Sequence, residues 1–296
     1  MNYLSVCSGI EAASVAWEPL GFRPVGFSEI EKFPSQVLAH RFPTVCNYGD
    51  MTKYKEWELD APIDILVGGT PCQSFSVAGL RKGLDDPRGN LMLTYLGIAD
   101  RLRPRWLVWE NVPGVLSSNG GRDFGTFLGA LVELGYGFSY RVLDAQWFGV
   151  AQRRRRVFVV GCFGDGAGAA KVLFESEGVC RHPAPSREKG EGNTNATITG
   201  AVSSKWAKGT GGPSGDECYN LVNQPCAFEG SQVRRLTPLE CERLQGFPDN
   251  WTDIRMGGKP TPDGPRYKAI GNSMAVPVMR WIGERIHASK AALDSL

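Results

Sequence analysis

The sequence predicts an α/β fold built on a mostly parallel sheet, with a second, loop-rich module set into it. From Tyr3 to about Cys162, short apolar runs ending in Gly, Asp or Glu alternate with longer amphipathic windows, which is the pattern of βαβ units. Between Gly161 and Val233 that rhythm stops, and 13 glycines fall within 73 residues. Order returns at Arg235 and continues into an amphipathic tail.

Each element follows from its local residues. Strands are expected at Leu4–Cys7, Pro24–Phe27, Ile63–Val67, Trp106–Trp109, Phe138–Leu143 and Val157–Cys162, short runs rich in β-branched or aromatic side chains. Helices are expected at Glu11–Leu20, stopped by Gly21, at Glu31–His40, and at Leu91–Leu102, ended before Pro104. Thr237 can cap a helix with Pro238 at its first position and Glu240 completing a capping box. The tail Val276–Ala288 is apolar at Val276, Met279, Ile282 and Ile286, one helical face.

Composition narrows the function classes. A chain of 296 residues with 42% hydrophobic content can bury a full core, which excludes a small disulfide scaffold and a disordered chain. Lys and Arg number 33 against 31 Asp and Glu, so any nucleic-acid surface must come from the placement of basic residues. No window approaches the roughly 18 to 20 apolar residues of a membrane span. The start lacks a basic leader region, and the eight cysteines show no CxxC or zinc-finger spacing. The expectation is a soluble, cytoplasmic protein with reduced thiols and no metal site.

In an open α/β sheet, ligands bind beyond the carboxyl ends of the strands. The first such turn, Cys7-Ser8-Gly9-Ile10-Glu11, has one glycine where the dinucleotide fingerprint has three, so it suits a nucleoside better than a pyrophosphate. Glu29 lies twenty residues beyond Gly9, the separation at which a carboxylate meets ribose hydroxyls. Asp50 is placed to accept from an adenine amino group.

The run Ile63–Val67 leads into Gly68-Gly69-Thr70-Pro71-Cys72-Gln73-Ser74, presenting Cys72 at a strand end as a candidate nucleophile. A cysteine is ordinarily a buried structural thiol, but Pro71, Gln73 and Ser74 are poor core. The segment Ser76–Asn90, with three glycines and mixed charge, reads as a lid. Trp106–Trp109 delivers Glu110, whose aromatic neighbours would keep it protonated by desolvation. In extended geometry Arg154 and Arg156 share a face. Thiolate, protonated carboxyl and paired cations suit one reaction: a pyrimidine becomes nucleophilic at C5 once something adds to C6, helped by a proton at N3 and a cation at O2.

In order along the chain, these motifs resemble those of the bacterial and phage DNA (cytosine-5)-methyltransferases: Cys-Ser-Gly-Ile-Glu, Glu29, Gly49-Asp50, Gly-Gly-Thr-Pro-Cys-Gln-Ser, Glu-Asn-Val, Gln-Arg-Arg-Arg-Arg, Arg-Leu-Thr-Pro-Leu-Glu-Cys-Glu-Arg-Leu-Gln-Gly-Phe-Pro and Tyr-Lys-Ala-Ile-Gly-Asn-Ser-Met-Ala-Val-Pro. The resemblance implies a Rossmann-like methyltransferase fold that binds S-adenosylmethionine and yields S-adenosylhomocysteine. It makes Cys72 the C6 nucleophile, Glu110 the group on N3 and Arg156 the group on O2, with Arg154 supporting the transition state or an adjacent phosphate. It assigns the cofactor pocket to Cys7, Ser8, Gly9, Ile10, Glu29, Asp50, Leu91, Asn272, Ser273 and Met274. It divides the chain into a catalytic domain, 1–163 completed by 266–296, and a target-recognition domain, 164–265.

The partner implied is double-stranded DNA, with a cognate restriction endonuclease where the enzyme belongs to a restriction–modification pair. The target base must leave the stack to reach Cys72, with Gln73, Ser74 and Ser76 closing on the DNA. Thr197 and Thr199 resemble a short recognition signature, and Lys205, Lys208, Arg234 and Arg235 are candidate phosphate contacts. The alternatives are a tRNA cytosine-5 methyltransferase and a catalytically silent DNA-binding regulator. The sequence departs from the commonest first motif, which carries an acid at position 5, an aromatic residue at position 7 and Gly-Gly at 11 and 12. Here these are Ser5, Cys7, Glu11 and Ala12.

Overall fold

The structure, a computed structural model, describes residues 1–71, 91–174, 221–225, 231–255 and 259–294. Seven strands form its main sheet: β1 (Asn2–Val6), β2 (Arg23–Ser28), β3 (Cys46–Asn47), β4 (Ile65–Gly68), β5 (Trp106–Asn111), β6 (Tyr136–Asp144) and β7 (Arg155–Phe163). They lie in the order β3-β2-β1-β4-β5-β7-β6. All run parallel except β7, which is antiparallel to both neighbours. Every strand expected from sequence is present. β3 was not expected: two residues on an edge carry no periodicity.

On one face lie α1 (Ala12–Trp17), α5 (Gly166–Leu173) and α8 (Val276–Asp294). They enclose a core of Tyr3, Trp17, Val67, Phe158 and Ile282. Trp17 Nε1 donates to the Met279 carbonyl at 2.7 Å, tying the start of the chain to its end. On the other face lie α3 (Leu91–Leu102) and α4 (Arg122–Glu133), over Leu4, Leu66, Tyr95, Trp109 and Phe127. α2 (Lys32–Arg41) follows β2. The helix expected over Glu11–Leu20 is divided, α1 giving way to a 3-10 turn at Glu18–Leu20 that ends on Gly21.

α6 (Pro238–Gln245) starts on the expected capping box, Thr237 Oγ1 accepting from Glu240 N and the Glu240 carboxylate accepting from Thr237 N. It packs beside α7 (Asp263–Asn272), which precedes α8. α4 and α7 were not expected: Gly125 and Gly129 in one, Pro265 and Gly271 in the other, weaken local helix propensity. Tertiary packing overrides it, since α4 buries Phe124, Phe127, Ala130 and Leu131.

Packing crosses the expected domain boundary at residue 163. α5, beyond residue 163, packs on β6, β7 and α8, while Leu236, Cys241, Phe247 and Ile254 share one core with Tyr3 and Ile10. Among the described residues, what stands apart from that sheet is the antiparallel pair β8 (Leu221–Pro225) and β9 (Ser231–Arg235). No described helix is long and apolar enough to cross a membrane.

Candidate active site

The carboxyl ends of β1, β2, β4 and β5 border one cavity of about 920 Å³. At its β1–β2 end the chain turns through left-handed residues Cys7, Gly9 and Glu11, with φ of 49°, 58° and 63°. Gly9 N donates to Glu29 Oε2 at 2.8 Å, and Glu31 N donates to Glu29 Oε1 at 2.7 Å. This fixes the Glu29 carboxylate between two turns. Ser8 Oγ donates to the Ser5 carbonyl at 2.9 Å and accepts from Ser28 N at 3.1 Å, closing the turn from below. Asp50 Oδ1 accepts from Thr52 N and Oγ1, which holds Asp50 at the rim.

Of the ten residues assigned to a cofactor, Cys7, Gly9, Glu29, Asp50, Leu91 and Asn272 line this cavity. Ser8, Ile10, Ser273 and Met274 do not. Ile10 is fully buried in the core, and its carbonyl accepts from Trp251 Nε1 at 2.8 Å. Cys7 Sγ lies 3.5 Å from Met51 Sδ, and burial with the nearby Glu29 pushes its thiol up to about 12. It is therefore a soft apolar wall and not a thiolate. Sequence reasoning missed Ile30, Met51 and Lys268, which also line the cavity. Ile30 is 72% exposed, an apolar side chain at the mouth whose place directly after Glu29 was its only signal.

The opposite end is built by β4, β5 and β7. Because β7 runs antiparallel to β5, its first residues lie beside the last residues of β5: Asn111 pairs with Val157 and Glu110 with Phe158. Arg156 therefore meets Glu110, Nε to Oε1 at 3.1 Å. Burial raises the Glu110 carboxyl above its ordinary range, while the charges of Arg156 and Arg154 pull it back. Gly69 makes the approach possible. A Cβ there would stand 2.9 Å from Glu110 Oε2 and 3.3 Å from the Met274 methyl.

Two side chains of β5 hold the turn after β4. Trp109 Nε1 donates to Thr70 Oγ1 and Asn111 Nδ2 to the Thr70 carbonyl, both at 2.9 Å. Thr70 and Pro71 lead into Cys72, which with Gln73, Ser74, Ser76 and the expected lid lies outside the described residues. Thr197, Thr199, Lys205 and Lys208 also lie outside them. Arg234 and Arg235 lie on β9, paired with Val222 and Leu221.

Arg154, just before β7, is held in the interior. Only 3% exposed, its Nη2 donates to the carbonyls of Gly271 at 3.1 Å and Ser273 at 2.7 Å. Arg154 also lines the cavity. Gln152 Nε2 reaches the Leu244 carbonyl at 2.9 Å, and Gln245 Nε2 reaches the Ile270 carbonyl at 2.9 Å. The three late motifs thus hold one another through buried side-chain-to-backbone bonds.

Sheet order and site together define an AdoMet-dependent-methyltransferase fold. The sequence matches the C-5 cytosine-specific DNA methylase family over residues 1–196 and 184–288, and the chain belongs to that family. It is 37% identical to a protein of Escherichia phage P1 named DNA N-6-adenine-methyltransferase, over 96% of this chain and 61% of the phage protein. It is 32% identical to the type II methyltransferase M.NlaX of Neisseria lactamica, over 92% and 91% of the two chains. The chain thus spans about 61% of the length of its phage P1 relative. In fold it is similar to the Dnmt2 methyltransferase of S. pombe, with a TM-score of 0.69 at 16% identity over 99% of each chain.

Proposed function

We propose that this chain transfers a methyl group from S-adenosylmethionine to C5 of a cytosine in a specific sequence of duplex DNA. The observation that carries the reading is a single cavity: Gly9, Glu29 and Asp50 stand at one end, and the Glu110–Arg156 pair stands at the other beside the turn leading to Cys72. The first end fits the proposed donor, because fixed carboxylates can meet ribose hydroxyls and an adenine amino group, and Gly9 leaves open space in front of its backbone. When bound, the donor supplies an electrophilic methyl on a sulfonium sulfur.

The chain's own residues do the rest. Cys72 adds as thiolate to C6 of the extruded base while Glu110 gives a proton to N3, so the C5–C6 π electrons become available at C5. Arg156 holds O2 and, through Nε, the Glu110 carboxylate. After methyl transfer C5 gives its proton to solvent water, the C6–sulfur bond breaks with Cys72 leaving as thiolate, and N3 returns its proton to Glu110. The match to the C-5 cytosine-specific DNA methylase family supports DNA as the substrate, and the place of a cysteine after Thr70-Pro71 supports carbon over amino methylation.

The test is mass spectrometry of nucleosides after incubation with duplex DNA or tRNA and labelled donor. 5-Methylcytosine in DNA is expected; N6-methyladenine, or label in tRNA alone, would overturn the proposal. Cys72→Ala is expected to abolish turnover while AdoMet binding persists, and unchanged turnover would overturn the thiolate mechanism.

A further inference from the structure

We propose that Glu11 is a positioning residue for the cofactor, supplying from within the turn the carboxylate that the commoner form of this motif carries at position 5. The inference rests on the reading of the β1–β2 end of the cavity as the AdoMet site. Glu11 is 1% exposed and sits in the left-handed region, φ 63°, where a side chain is strained and glycine is not. A buried carboxylate in a strained position is costly on two counts. The surroundings show what it does there.

Ser5 Oγ, on the last part of β1, donates to Glu11 Oε1. Ser14 N at 3.1 Å and Ser14 Oγ at 2.5 Å donate to Oε2, and Ser14 Oγ also meets Tyr3 Oη at 2.6 Å. The carboxylate therefore joins the strand before the turn to the helix after it. Glu11 N in turn donates to the Ser8 carbonyl at 3.1 Å, so the residue closes the loop that carries Ser8, Gly9 and Ile10. Gly9, whose N–H holds Glu29 Oε2, is thereby fixed in space. Since Ser5 Oγ touches the Glu11 carboxylate, an acid grafted onto position 5 would place its oxygens in the same buried spot. The left-handed backbone at 11 is then free to be glycine.

That exchange is the experiment. Glu11→Gly suits the local φ but removes the carboxylate, and the double variant S5D/E11G restores it from the strand. AdoMet affinity by calorimetry, steady-state constants and melting temperature are measured for both variants and the parent chain. E11G is expected to raise Kd and KM for AdoMet about tenfold, the loss of a buried hydrogen-bonded tether. Its kcat at saturation and KM for DNA stay near the parent's. S5D/E11G is expected to bind within about threefold of the parent.

Parent-like affinity in E11G overturns the inference, as does a folded S5D/E11G no tighter than E11G. If E11G does not fold, the double variant still decides, since recovered folding and binding together support the exchange and failure of either overturns it. A parent chain that binds no AdoMet overturns the pocket reading and this inference with it.

Discussion

Glu110 shows how one side chain can be set between two protonation states. Burial lifts its pKa, and two arginines oppose that lift. A carboxyl whose folded pKa lies above its unfolded value favours the protonated protein, so its contribution is present at low pH and lost as pH rises through the folded value. A proton donor to N3 has the same sign, and activity should fall on the alkaline side as Glu110 ionises. Glu110→Gln keeps a donor at this place but cannot transfer a proton. It is expected to lower kcat by roughly 10² to 10⁴ and to remove the alkaline limb assigned to Glu110, both read from a pH–rate profile. The same limb in the variant would assign it to another group. Gly69→Ala tests the neighbouring constraint: its Cβ would force Glu110 Oε2 from 2.9 Å, and about a hundredfold loss of kcat is expected from a displacement of this kind. AdoMet affinity should not change, and a loss of affinity in place of rate would count against the assigned geometry.

At the scale of elements, strong local signals were legible and tertiary ones were not. Leu91–Leu102 has its expected bounds, and the Thr237–Glu240 capping box forms as its spacing requires. α4 was hidden because its packing partner lies elsewhere in the chain: Trp109 of β5 stacks on Phe124 and meets Phe127 at a tilt. The bonds of Arg154 to α7 and the residue after it could not be foreseen, since the Gly271 and Ser273 carbonyls lie more than a hundred residues away. These bonds make a prediction. Arg154→Met should remove this donor from the Gly271 carbonyl, leave the Ser273 carbonyl only the longer bond from Gln245 Nε2 at 3.4 Å, and cost about 2 to 4 kcal/mol in stability, read by chemical denaturation. It should also weaken AdoMet binding, because Asn272 lies between the two released carbonyls and lines the cavity. A variant as stable as the parent would show that the carbonyls find other partners.

Across the whole molecule, the sheet order follows from the alternation of strands and helices, but its closing device does not. The sequence marks Val276, Met279, Ile282 and Ile286 as one apolar stripe without saying what it covers. The structure lays that stripe on α1 and α5, so the last helix completes the layer begun by the first. The two ends of the chain thereby pack against each other on one face of the sheet. Val276, Val278, Met279, Trp281, Ile282 and Ile286 are all buried, and a fully buried side chain of this kind is worth about 1.5 to 3 kcal/mol. Taken together, they rival the roughly 5 to 15 kcal/mol by which a typical domain is stable. Removing residues 276–296 should therefore abolish the cooperative thermal transition and AdoMet binding alike, even though every residue assigned to proton transfer and nucleophilic attack is retained. Differential scanning calorimetry of the shortened chain checks this. A cooperative transition near that of the full chain would show that the sheet and its other helices hold the fold without α8.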